Sequence, residues 1–218
     1  MERIVVKEFL YPALLTPPAA LDFTDQYAFW PTGSTTAALT YILQSVTDLL
    51  ADNPYVSVIA LDFSKAFDTV RHYSLLEKIA QLDIPDFVYN WLVHFFCDHS
   101  HSTKYGDAIS TNKSISASIV QGSAVGPVAY VINTGDLVAV TPGNRICKYA
   151  DDTYVIVPAA NSHTRNVEVA NTEQWATTNN LTLNQIKLVK IFSQKNIVLE
   201  LVTLWHYQAS AGSQHWRS

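Results

Sequence analysis

Lys148-Tyr149-Ala150-Asp151-Asp152-Thr153-Tyr154-Val155-Ile156-Val157 sets two adjacent carboxylates between two short apolar stretches. Arg145–Tyr149 and Thr153–Val157 are rich in β-branched and aromatic residues, so the run predicts a β-hairpin with an acidic tip. A hairpin is a piece of antiparallel sheet, and this one governs the reading of the fold. Carboxylates beside buried apolar surface are costly unless they are paired or hold a cation, which makes the tip a candidate metal site. By itself an Asp-Asp pair is more often a solvated turn.

A second carboxylate falls at a comparable place. Tyr55-Val56-Ser57-Val58-Ile59-Ala60-Leu61 reads as a strand, and it runs into Asp62 at the start of a turn. Two strand-end acid sites in one sheet can face each other and hold two Mg²⁺ ions, which favour carboxylates, waters and substrate phosphates. On that reading Asp62 and Asp151 share a metal pair roughly 4 Å apart.

Around these strands the spacing predicts an amphipathic helix over residues 1–15, ended by Thr16-Pro17-Pro18. Ser34-Thr35-Thr36 caps a helix over 37–50, and Asn53-Pro54 breaks it. Helices follow around 74–82 and 86–99, then a polar segment, 100–118, that reads as a hairpin. Gln121-Gly122-Ser123 opens a helix over 125–138, a further helix covers 164–178, and a last strand lies near 189–192. This alternation predicts an α+β architecture, a largely antiparallel sheet with helices packed on one face.

The bulk properties narrow the function classes. With 218 residues and 48% apolar content the chain can fill a core, and its 15% charged fraction is too low for a disordered segment. A net charge of -5 counts against a free-standing nucleic-acid binder, which needs clustered Lys and Arg. Cys97 and Cys147 form no CxxC, so neither a zinc knuckle nor a disulfide framework is expected, and the default is an intracellular, reducing setting. No signal-peptide pattern opens the chain and no apolar run reaches about 18 residues, so the expectation is a soluble protein with no membrane partner. His94, His99 and His101 straddle a helix end without a matching acid or Cys and read as solvated. Trp91, Phe95 and Phe96 read as core.

Three motifs taken in order carry a specific resemblance. Leu61-Asp62-Phe63-Ser64-Lys65-Ala66-Phe67-Asp68, Gln121-Gly122-Ser123-Ala124-Val125-Gly126-Pro127 and Tyr149-Ala150-Asp151-Asp152 resemble the palm motifs of a reverse transcriptase, in the wording of LINE-type, non-LTR retrotransposons. Residues 26–36 resemble that family's fingers-to-palm segment, and Asn180-Leu181-Thr182-Leu183-Asn184-Gln185-Ile186-Lys187 resembles the palm motif after the acidic hairpin. The resemblance runs from about residue 2 to 192. It implies a polymerase palm with a partial fingers region: 1–54 partial fingers and connection, 55–192 palm, 193–218 a divergent tail.

The resemblance implies a role for each matching residue. Asp62, Asp151 and Asp152 are the catalytic, metal-holding acids, serving two Mg²⁺ ions with Mn²⁺ as a possible substitute. Phe67 is the bulky gate that excludes a 2′-hydroxyl, or else simply core. Phe63, Gln121, Gly122 and Tyr149 line the nucleotide and template side, with the glycine admitting close backbone approach. Lys187 neutralises the triphosphate or is a solvated charge. Lys65 and Arg71 are basic but exposed, and no role is assigned to them. RNA template, DNA primer and dNTP are the implied partners.

The chain also departs from the family. Met1 falls inside the family's fingers, Trp30 stands where the family has Arg, and no thumb follows residue 193. The expectation is therefore a fragment truncated at the fingers and lacking the thumb, which another chain would have to complete. Two other readings stay open at the level of sequence. One is a catalytically inactive relic that keeps the palm as a non-enzymatic module, and the other is a different two-metal phosphotransferase or nuclease.

Overall fold

The computed structural model describes residues 1–30, 32–97, 100–120, 122–184 and 188–193. Two compact units interleave along the chain. Met1–Phe23, Lys65–Leu137 and Ala176–Thr182 form the first, and Thr24–Ser64, Val138–Trp175 and the described residues from Leu183 onward form the second.

The second unit holds the sheet. Strands β1 (Tyr55–Leu61), β2 (Arg145–Tyr149), β3 (Asp152–Pro158) and β4 (Leu188–Ser193) lie in the order β4-β1-β3-β2, and every neighbouring pair is antiparallel. The predicted hairpin of β2 and β3 is present, with Cys147 opposite Tyr154 and Tyr149 opposite Asp152. The predicted strand Tyr55–Leu61 sits between β4 and β3, so both of its edges are paired.

One helix covers a face of this sheet. Thr35–Leu50 starts where Ser34, in extended conformation, accepts a hydrogen bond from the Ala37 N–H at 3.1 Å. Its stripe of Ala38, Leu39, Ile42, Val46 and Leu50 packs on Val56, Val58 and Ala60 of β1, Tyr154 and Ile156 of β3, Cys147 and Phe192. Those β1 residues alternate along the strand, so Ser57, Ile59 and Leu61 face the other way, and they too are buried. Burial on both faces explains why this strand is apolar almost throughout instead of alternating. Each fully buried Ile or Val contributes about 1.5–3 kcal/mol.

Glu168, itself buried, ties down the loop before β2. Its carboxylate accepts from the backbone N–H groups of Val140 and Thr141, at 3.1 and 2.8 Å, and from the Asn144 amide at 2.8 Å.

The first unit is mostly helical. Glu2–Val5, Val6–Leu10 and Tyr11–Leu15 follow head to tail, the middle piece wound as a π-helix. Pro12 would meet the carbonyl of Glu8 in a straight α-helix, and the wider turn ahead of it relieves that clash. The helices His72–Ile79, Asp86–Phe96 and Val125–Asn133 match the expected ones, with shifted ends. The last was expected to reach 138. It stops because Gly135 gives its carbonyl to the Asp22 N–H at 2.7 Å and lies against Phe23, where an added Cβ would stand 2.4 Å from the ring. The polar segment forms a hairpin in two rungs, Ser100–His101 with Lys113–Ser114 and Lys104–Tyr105 with Ala108–Ile109. Lys78 is buried and joins three places at once, the Asn133 carbonyl at 2.5 Å, Asp136 at 2.6 Å and Asn179 at 2.9 Å.

Candidate active site

The pairing of β1 with β3 runs from Val56↔Pro158 to Leu61↔Thr153, so Asp62, one residue past Leu61, and Asp152, one residue before Thr153, lie at the same end of the two strands. Asp151 occupies the two-residue loop joining β2 to β3, beside Ala150. The acids of two motifs distant in sequence therefore arrive at one end of adjacent strands, and all three are partly exposed.

Ala150 has φ 54°, a left-handed conformation that residues with a side chain adopt at a cost of about 1–3 kcal/mol. What holds it is Gln26, whose Oε1 accepts from the Ala150 N–H at 3.2 Å and from the Ala28 N–H at 3.0 Å. Residues 25–27 lie parallel to β2 at Lys148. The Lys148 N–H donates to the Asp25 carbonyl at 2.7 Å, and the Tyr27 N–H donates to the Lys148 carbonyl at 2.9 Å. Below the tip the Lys148 ammonium pairs with the Asp25 carboxylate at 2.9 Å, with side-chain exposures of only 1% and 8%. The surroundings are dry. Burial pushes the Tyr27 phenol up to about 12 and raises the Cys147 thiol well above its ordinary value. Asp25 and Gln26 carry no motif signal of their own; the clue in the sequence is a lysine placed inside the apolar run of β2, which needs an acid somewhere.

Asp62 is held from the other side of the motif. Asn184 donates its backbone N–H to the Asp62 carbonyl and its side-chain Nδ2–H to Asp62 Oδ2, each at 2.8 Å. Ser64 Oγ donates to Asn184 Oδ1 in a short hydrogen bond.

The expected substrate-side residues fare differently. The Phe63 ring is buried against Trp175, centroids 5.5 Å apart, so that side chain serves packing and any part in binding substrate falls to its backbone. Phe67, in the first unit, is partly exposed and stacks on Tyr130 at 4.4 Å. Gly122 has φ 86°, a backbone conformation that residues with a side chain rarely adopt, with open space where a Cβ would stand. Tyr149 is partly buried against the core under the Thr35–Leu50 helix. Gln121 and Lys187, with His99 and the tail from 194 on, lie outside the described residues. Lys65 and Arg71 are exposed, and Arg71 donates to Asn180 at 3.1 Å. Trp91 and Phe95 stack at 5.4 Å and are partly buried, while Phe96 is core; His94 and His101 are exposed.

Among the described residues no three His, Cys, Asp or Glu side chains gather tightly enough to count as a preformed metal cage. The donor set suits a hard divalent cation: Asp62 follows β1, Asp151 and Asp152 sit at the tip of the β2–β3 hairpin, and their carboxylates supply only oxygen. Among the described residues both cysteines are free thiols, and no helix is long and apolar enough to cross a membrane.

The paired strands, the covering helix and the acidic hairpin are those of a polymerase palm-type fold. Solved telomerase structures share it. One from Candida tropicalis, with a fragment of telomeric RNA, has a TM-score of 0.65 at 12% identity over 88% of this chain and 33% of that one. One from Candida albicans has a TM-score of 0.61 at 11% identity, over 88% of this chain and 36% of the other. The family model described as reverse transcriptase (RNA-dependent DNA polymerase) matches residues 2–200, and the chain belongs to that family. Its relatives in Drosophila melanogaster include the RNA-directed DNA polymerase from mobile element jockey, 28% identical over 88% of this chain and 22% of the relative. The probable RNA-directed DNA polymerase from transposon X-element is 26% identical over 60% of this chain and 15% of its own length. Such relatives place the domain with LINE-type, non-LTR elements, as the sequence motifs led one to expect, although the chain spans under a quarter of either relative.

Proposed function

We propose that this chain is the palm-bearing part of an RNA-directed DNA polymerase, joining dNTPs to a primer 3′-hydroxyl on an RNA template. The observation that supports the reading is the β1–β3 register, whose last pair, Leu61↔Thr153, leaves Asp62 and Asp152 each one residue beyond it at the same end of the two strands. Residues 55–192 would be its palm, after a partial fingers region in 1–54.

In that reaction the primer oxygen attacks the α-phosphorus of the dNTP in line, and the bond to pyrophosphate breaks on the far side. Asp62, Asp151 and Asp152 would hold two Mg²⁺ ions, which supply charge neutralisation at the attacking and leaving oxygens when bound. The chain's own contribution is positioning: Gln26 and the Asp25–Lys148 pair fix the acidic tip. Phe67 is assigned, by resemblance alone, to the gate beneath the incoming sugar. Gln121, Gly122, Tyr149 and Lys187 are assigned to the nucleotide and template by resemblance alone, and an intracellular setting suits the two free thiols.

The test is primer extension by purified protein on an RNA template with Mg²⁺ or Mn²⁺. Extension is expected, with loss on Asp62→Ala or Asp151→Ala and more ribonucleotide incorporation on Phe67→Ala. Absence of extension, or an Asp151→Ala protein as active as the parent, would overturn the proposal. Metal-dependent dNTP binding by calorimetry separates a working site from an inert palm.

A further inference from the structure

We infer that Asn184 is a positioning residue for Asp62, with Ser64 bracing its amide; the inference rests on the polymerase reading above. A closed chain of hydrogen bonds within the second unit carries it. Asn184 binds the backbone carbonyl of Asp62 through its own N–H at 2.8 Å, which is enough to join the two segments. The side chain adds a separate bond, Nδ2–H to Asp62 Oδ2 at 2.8 Å, which acts on the carboxylate and not on the chain path. An amide can turn either its oxygen or its nitrogen toward a neighbour, and only the nitrogen attracts a carboxylate. The carboxylate only accepts, so it takes the –NH₂ end, and the Ser64 hydroxyl donates to the Oδ1 left on the other side, bracing that orientation.

The chemistry of the partner matters as much as its place. A lysine or arginine there would add a positive charge beside Asp62, whereas a neutral amide orients the carboxylate without adding one. Asp62 is thus set in one rotamer before any cation arrives, so binding need not order the side chain. Asp62 and Ser64 belong to one motif and Asn184 to another, which links the two palm motifs through the acid itself.

The test uses the whole chain and Mn²⁺ as probe, with calorimetric Mn²⁺ affinity and primer-extension kcat and KM as readouts. Asn184→Leu keeps the volume and removes the amide, and Asn184→Ala removes both. Each is expected to weaken Mn²⁺ binding and lower kcat by about 10–100-fold with KM for primer-template unchanged. Ser64→Ala removes the brace on the amide and should cost about 3–10-fold, while Ser64→Thr, which keeps a hydroxyl, should restore near-parental values. Thermal unfolding identifies any variant that fails to fold, and the Ser64 pair still decides the question in that case. Asn184→Leu with parental Mn²⁺ affinity and kcat, or Ser64→Thr no better than Ser64→Ala, would overturn the inference. A parent chain that neither binds Mn²⁺ nor extends a primer overturns the polymerase reading, and this one with it.

Discussion

Replacing Lys148 with methionine keeps most of the side-chain volume and removes the ammonium that faces Asp25 at 2.9 Å. Both partners are nearly inaccessible, Lys148 at 1% and Asp25 at 6% exposure, so water cannot take the place of the lost cation. Removing one member of a buried pair leaves an uncompensated charge and costs about 3–5 kcal/mol. A folded domain has a total stability of about 5–15 kcal/mol, so Lys148→Met is expected to bring the chain close to unfolding. With a urea m-value on the order of 2 kcal/mol/M, the midpoint falls by about 1.5–2.5 M. Asp25→Asn combined with Lys148→Met removes both charges, and more than half of the loss should return, since buried pairs replaced together are often near neutral. Urea unfolding at pH 7 measures both. A Lys148→Met protein within about 1 kcal/mol of the parent would refute the claim that this pair supports the acidic tip.

Three further outcomes follow from the same geometry. Gln26→Ala strands the N–H groups of Ala28 and Ala150, so it should cost about 1–3 kcal/mol and speed hydrogen exchange at Ala150, as read by NMR. Glu2 accepts from the Ser123 hydroxyl and the Ala124 N–H, chiefly the former lowering its carboxyl below the ordinary 4.5. Its folded-state value is depressed, so its contribution is complete above pH 4.5 and fades as pH falls through the lower folded value. Thermal melts of Glu2→Gln against the parent should differ at pH 7 and converge in acid. Cys97 is exposed while Cys147 is buried with a raised thiol pKa, so maleimide at pH 8 should label native protein once, at Cys97. Labelling of Cys147 before denaturation would contradict the packing of the Thr35–Leu50 helix.

Much of the fold could be read because its signals are local. Tyr55–Leu61 is apolar over its whole length and the arms of the acidic hairpin are β-branched, so both appear where periodicity puts them. The Ser34 cap likewise announces its helix one residue in advance. Helix ends were less legible: the chain leaves the helix at Asn133, not 138, because Gly135 meets Phe23, a contact no local rule contains. Phe63 looked like a substrate residue through its motif, and only its burial against Trp175 shows a packing role. Glu168 shows no signal in the sequence beyond a charge on a helix, yet it is buried and anchors a loop with three hydrogen bonds.

The amino-acid order alone determined the strand-turn-acid pattern at Asp62 and Asp151–Asp152 and the family to which the chain belongs, because short-range propensity and motif wording reside in contiguous residues. Tertiary structure decided what holds those acids. Asn184 on Asp62, Gln26 under Ala150 and Asp25 on Lys148 are pairs distant in sequence. Each satisfies a polar group that folding withdraws wholly or partly from water, and the partner for such a group is chosen by where the backbone brings the chain back, which no local pattern of residues encodes.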